Sequence, residues 1–138
     1  MLFEVQDRIK SGIGLDYHSV LINIANKIKN RLDCKNLEFY SFDIEKEPFD
    51  IIECYLDYSI DIVFLLSVCM WVKNWRELIK HCSEISKNIL FETNGTDLQQ
   101  KEQFECLSEL YKTTLINDKS LDDPRQHNRK LCCLGSKK

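Results

Sequence analysis

Residues 59–72 read S-I-D-I-V-F-L-L-S-V-C-M-W-V, and this stretch decides the fold. Ile60, Ile62, Val63, Phe64, Leu65, Leu66 and Val68 form a run that is nearly all apolar. A membrane span needs about 20 apolar residues, so the run is too short to cross a bilayer. It does not alternate, which excludes a strand with one wet face. A short β-branched and aromatic run without alternation is the mark of a strand covered on both faces, as in a parallel sheet. Helical periodicity follows it, then a second apolar run, Ile89-Leu90-Phe91. Together they make a strand–helix–strand unit.

Working outward, the same alternation continues. Downstream, Asn74 with Glu77 resembles a capping pair, and Trp75, Leu78, Ile79, Cys82 and Ile85 form the buried stripe of the helix it opens. A strand over 88–93 ends in the turn Asn94-Gly95. Asp97 opens a helix with Phe104, Leu107, Leu110 and Tyr111 inward, then a strand over 113–117. A polar loop over 118–128 contains Asp123-Pro124, and the last strand is 129–134. Upstream, Leu2, Val5 and Ile9 mark an uncapped amphipathic helix. A strand over 12–17 ends in an acid. Ser19 is a candidate N-cap for a helix that buries Leu21, Ile24, Ala25, Ile28 and Leu32. Residues 37–44 form the next strand, and 49–56 a short helix after Pro48.

This order predicts an α/β fold: a doubly wound, mostly parallel sheet, helices on both faces and an antiparallel last strand. It places one domain over 1–134 and a polar tail over 135–138. Length and composition agree with one soluble domain, at 138 residues with 4 glycines and 2 prolines. The net charge of −3 offers no basic field for nucleic acid. No secretory signal follows Met1. Seven cysteines, an odd number and several inside apolar runs, read as reduced core thiols of a cytoplasmic protein. Adjacent Cys132-Cys133 with His127 suits neither chelation nor intrachain pairing, so no metal is expected. Asn94-Gly95-Thr96 matches a glycosylation sequon but reads more simply as a turn.

In sheets of this kind ligands sit beyond the carboxyl ends of the strands. Asp16 and Asp43 stand at such ends. A carboxylate there can accept from ribose hydroxyls, with its glycine-rich loop about 20 residues earlier. Counting back from Asp16 runs past Met1. Each acid reads equally as a cap or turn residue. Trp71 and Trp75 read as packing rather than as a substrate platform.

At these residues the chain resembles the class I S-adenosylmethionine-dependent methyltransferases. G-I-G-L-D-Y (12–17) resembles their second motif and F-Y-S-F-D-I (39–44) their third. D-I-V-F-L-L-S-V-C-M-W-V-K-N (61–74) resembles the fourth-strand motif, and N-I-L-F-E-T-N-G (88–95) the fifth strand. The two-strand ending is similar to their antiparallel seventh strand. The resemblance spans nearly the whole chain. It departs at the start, where the family's first strand and glycine loop have no counterpart.

The resemblance implies S-adenosylmethionine as cofactor. Asp16 would bind the ribose hydroxyls and Tyr17 would lie along the adenine. Asp43 would accept from the adenine amino group, with the Ile44 N–H nearby. Leu66 and Ser67 would line the methyl-transfer pocket. Glu92 and Asn94 are better placed than His81 to act on an acceptor, and no catalytic residue is assigned. Leu66-Ser67-Val68-Cys69 replaces the Asn-Pro-Pro-Tyr type motif of many amine methyltransferases, which points to a small-molecule acceptor. Two functions are therefore expected: methyl transfer by a partial chain, or a non-catalytic truncated remnant or interaction module. A third, weaker one is another nucleotide-binding doubly wound protein. Without the family's first strand, two strand edges would lie unpaired and favour self-association.

Overall fold

The computed structural model describes residues 1–56, 59–118 and 132–138. The chain divides into two compact units, Met1–Ile51 and Ile52–Lys138.

The first unit opens with α1 (Leu2–Val5), continued as a 3-10 turn over Gln6–Arg8. Then come β1 (Gly12–Asp16), α2 (Ser19–Leu32) and β2 (Leu37–Ser41). β1 and β2 pair in parallel, with Gly12 opposite Leu37 and Asp16 opposite Ser41. The α1 segment lies over the glycines of β1. A Cβ on Gly14 would stand 2.6 Å from Phe39 Cδ1, so a larger residue there would push the ring aside. Phe3 stacks on Phe39 at 5.1 Å, and Asn36 Nδ2 donates to the carbonyls of Gln6 and Ile9.

Here α2 departs from its sequence pattern. Its buried residue is Ile22, and Asn26 Nδ2 donates to the Phe39 carbonyl. The apolar stripe expected inside is outside: Leu21, Ile24, Ile28 and Leu32 are 40 to 55% exposed, with Val20 beside them. Periodicity finds a stripe but not the element that covers it. Ser19 is the first helical residue, not the cap. His18 holds the cap position without a side-chain bond.

A 3-10 stretch, Phe49–Tyr55, leads on. The second unit has β3 (Ile60–Leu66), a 3-10 turn Cys69–Trp71, α3 (Trp75–Ile85) and β4 (Ser86–Glu92). α4 (Asp97–Leu110), β5 (Tyr111–Asn117) and β6 (Cys132–Lys137) follow. The sheet order is β3-β4-β6-β5. β3 and β4 are parallel, and β6 runs antiparallel to both its neighbours. This is the mixed, mostly parallel α/β fold with an antiparallel last strand that the sequence predicts.

Two details differ. β3 was expected to be covered on both faces, yet it is an edge strand of its sheet and only Leu65 is buried. β6 runs on to Lys137, so Gly135 lies in the sheet rather than in a tail. A Cβ at Gly135 would meet Ile89 Cγ2 at 2.8 Å and Tyr111 Cβ at 2.9 Å. The expected loop 118–128, with Asp123-Pro124 and His127, and the start of the expected strand 129–134 lie almost wholly outside the described residues.

One face of the four-stranded sheet carries the core. Ile89, Phe91, Tyr111 and Cys133 are at most 1% exposed, packed with Leu78, Ile79, Cys82 and Leu107 of α3 and α4. Burying a side chain the size of Phe91 stabilises the fold by about 2 to 3 kcal/mol. The alternate residues Phe64, Leu90 and Leu134 point the other way and remain partly exposed. Among the described residues no helix is long and apolar enough to cross a membrane.

Candidate functional site

In the first unit, the carboxyl ends of β1 and β2 lie side by side. The Phe42 N–H donates to the Asp16 carbonyl at 3.0 Å, so Asp16 and Asp43 leave the same end of neighbouring parallel strands. Asp16 Oδ1 accepts the His18 N–H at 2.7 Å, a turn bond that starts the chain into α2. Its second oxygen, Oδ2, accepts no hydrogen bond among the described residues. Tyr17 is 71% exposed, its ring tilted against His18.

Asp43 is the hub of a turn. Its Oδ1 accepts the Glu45 N–H at 3.1 Å and Oδ2 accepts Lys46 Nζ at 2.6 Å. Its carbonyl accepts the N–H groups of Lys46 and Glu47, and its own N–H goes to Glu47 Oε1. The Lys46 hydrogen bond, aided by the Glu45 N–H, holds the Asp43 carboxyl below the usual range. An ionised carboxylate has about four acceptor sites, so a donor can still be received. The next residue, Ile44, has a backbone N–H with no acceptor among the described residues.

In the second unit, β3 ends at Leu66 and the chain turns sharply. Ser67 adopts φ +56°, a left-handed conformation uncommon outside glycine. Its N–H donates to the Glu92 carbonyl at 3.2 Å and its hydroxyl to Glu92 Oε2 at 2.6 Å. Asn94 clasps the same loop: Nδ2 donates to the Ser67 carbonyl at 2.5 Å, and Oδ1 accepts the Met70 N–H at 2.9 Å.

α4 holds Asn94 in turn. Gln103 exchanges two hydrogen bonds with the Asn94 backbone, while Gln100 reaches Thr93 Oγ1 and the Gly95 carbonyl. Thr93, Asn94, Gln100 and Gln103 are all at most 5% exposed, so these bonds satisfy groups that water cannot reach. The inward glutamines are absent from the sequence reading, which filled that face with Phe104, Leu107, Leu110 and Tyr111. Their signal was Gln100 and Gln103 at helical spacing three, on the face of Leu107. Thr96 caps the helix through a capping box with Gln99.

All seven cysteines are free. Burial pushes the thiols of Cys69 and Cys82 up to about 12 and that of Cys133 to about 11. Among the described residues no three His, Cys, Asp or Glu side chains gather as metal ligands. Trp71 is exposed, and the Arg76 guanidinium lies 4.1 Å from the centre of the Trp75 ring.

No protein-family model and no curated protein match the sequence. Solved structures do match in shape. The N-terminal domain of EvdMO1, crystallised in the presence of S-adenosylhomocysteine and D-fucose, has a TM-score of 0.71 at 12% identity, over 93% of this chain and 66% of that one. YcgJ from Bacillus subtilis has 0.68 at 11% identity, over 99% and 86%. An rRNA methylase from Streptococcus thermophilus has 0.67 at 10%, over 96% and 76%. The chain spans about a third of EvdMO1 as a whole. With β6 antiparallel between β4 and β5 and these neighbours in shape, the chain has the class I S-adenosylmethionine-dependent methyltransferase fold.

Proposed function

We propose that the chain is the larger part of an S-adenosylmethionine-dependent methyltransferase and that its first unit takes the adenosine half of the cofactor. One observation carries this reading. At one end of the β1–β2 pair, Asp16 Oδ2 and the Ile44 N–H have no hydrogen-bond partner among the described residues, and the ring of Tyr17, next to Asp16 in the chain, is exposed. That donor and acceptor set fits the group. A carboxylate oxygen suits ribose hydroxyls, an N–H with the Asp43 carboxylate suits the adenine edge, and a flat ring suits its face. Leu66 and Ser67 are assigned to the methyl-bearing side by the family resemblance. The cofactor would supply an electrophilic methyl group.

The acceptor is a small molecule. The EvdMO1 N-terminal domain was crystallised in the presence of a sugar, and the net charge of −3 on this chain does not favour RNA. Seven free thiols fit a reducing compartment, the cytoplasm.

The test is calorimetric titration of S-adenosylhomocysteine into the chain and into an N-terminally extended form. Binding that Asp16→Ala abolishes is expected for the extended form. Absence of binding in both leaves a non-catalytic remnant as the reading.

A further inference from the structure

Asn94-Gly95 is the only asparagine–glycine pair of the chain, and two separate demands of the fold put it there. Asn94 is required for its side chain, which clasps the Ser67 carbonyl and the Met70 N–H. Gly95 is required for its backbone: its φ of +99° strains any residue with a Cβ, and a Cβ would also strike the Gln99 side chain. The resulting pair is chemically labile. No side chain on Gly95 shields its nitrogen from Cγ of Asn94. When the nitrogen attacks, a new N–C bond closes a succinimide ring and the bond from Cγ to Nδ2 breaks. The nitrogen leaves as ammonia, taking the proton that Gly95 gives up. Water then adds to either ring carbonyl and yields aspartate or isoaspartate.

The folded chain restrains this reaction without blocking the attacking atom. The Gly95 N–H has no acceptor among the described residues. Ring closure moves the 94–95 peptide and the side-chain amide towards each other, and both are held. The carbonyl of that peptide accepts Gln103 Nε2 at 2.9 Å, and the Gly95 carbonyl accepts Gln100 Nε2 at 3.1 Å. Nδ2, the leaving group, is bound to the Ser67 carbonyl, and Oδ1 accepts the Met70 N–H at 2.9 Å. Asn94 is 3% exposed, so the water of the second step is kept away as well.

Either product undoes the clasp. Aspartate sets a buried carboxylate oxygen against the Ser67 carbonyl where a donor stood. Isoaspartate reroutes the main chain through Cβ, and the carbonyl that Gln103 grips becomes part of a free carboxylate.

We propose that Asn94 is a site of spontaneous deamidation, kept closed by Ser67, Met70 and Gln103, that converts only while the clasp is open and then prevents it from re-forming.

The test is a time course on the full chain in mildly alkaline buffer, with and without urea, read by peptide mass mapping of the amide-to-acid change at Asn94. Conversion in urea is expected to be faster than in native buffer by about tenfold or more, since the folded chain reacts only from its open form. Gln103→Leu, with circular dichroism unchanged, should raise the native rate by about tenfold and leave the urea rate alone. Gln103→Glu, which loses only the donor to the Asn94 carbonyl, takes its place if the leucine variant loses its fold. Asn94→Asp, the product made directly, should exchange its Met70 amide for deuterium about tenfold faster than wild type. Equal rates with and without urea overturn the proposal. So does a folded Gln103 variant that converts at the wild-type rate, or an Asn94→Asp chain whose Met70 amide is as protected as before.

Discussion

Gln103 and Asn94 exchange two hydrogen bonds: the Asn94 N–H reaches Gln103 Oε1 at 3.0 Å, and Gln103 Nε2 reaches the Asn94 carbonyl at 2.9 Å. A side-chain amide thus does what a neighbouring strand does for backbone. Gln103→Leu keeps the volume but strands a buried donor and a buried acceptor. The expected loss is about 3 kcal/mol, read from urea unfolding. Gln103→Glu retains an acceptor for the N–H and should lose less.

Ser67 tests backbone strain against a hydrogen bond. Its left-handed φ of +56° costs about 1 kcal/mol for a residue with a Cβ. Ser67→Ala keeps that strain and loses the bond to Glu92. Ser67→Gly loses the bond but relieves the strain. The glycine variant is therefore expected to be the more stable of the two by about 1 kcal/mol in thermal or urea unfolding.

The turn at Asp43 should depend on pH at both ends of the scale. The folded Asp43 carboxyl lies below its ordinary 3.8, chiefly through Lys46, so its contribution is present above 3.8 and fades as pH falls through the lowered value. Lys46 lies above its ordinary 10.5 because of Asp43, so its contribution is complete below 10.5 and fades as pH rises through the raised value. Lys46→Met should return the Asp43 titration towards 3.8, read from carboxyl carbon shifts by NMR. Salt should weaken the effect, since both groups meet solvent.

Thiol labelling should follow burial. Cys54 is exposed, whereas the thiols of Cys69 and Cys82 are held up near 12 in the core. Iodoacetamide in native buffer is expected to modify Cys54 first and to reach Cys69, Cys82 and Cys133 only after denaturant is added. Peptide mass mapping reads the order.

The sequence carried the element order well because strongly periodic stretches carry their own environment. The α3 stripe of Leu78, Ile79 and Cys82 is buried as its spacing demands. The unbroken run in β3 marked a strand correctly, but not its place at a sheet edge, since edge and centre differ in neighbours rather than in composition. In α2 the same logic found the stripe and assigned it to the core, although only Ile22 is buried there. The polar keystone was illegible for another reason. Glutamine scores as surface, and only the three-dimensional path of residues 93–95 shows why Gln100 and Gln103 are needed inside. Asp16 and Asp43 were legible as strand-end acids, while the bonds that divide their labour come from turn geometry.

The clasp of Asn94 on the Met70 N–H makes one amide a distant reporter. Met70 belongs to no long helix or strand, and its protection hangs on a side chain that α4 holds in place. The loop and the helix are therefore expected to open together. In deuterium exchange the Met70 amide should decay at the rate of the middle turns of α4, not at the rate of a surface loop, and a mutation that frays α4 should speed both together.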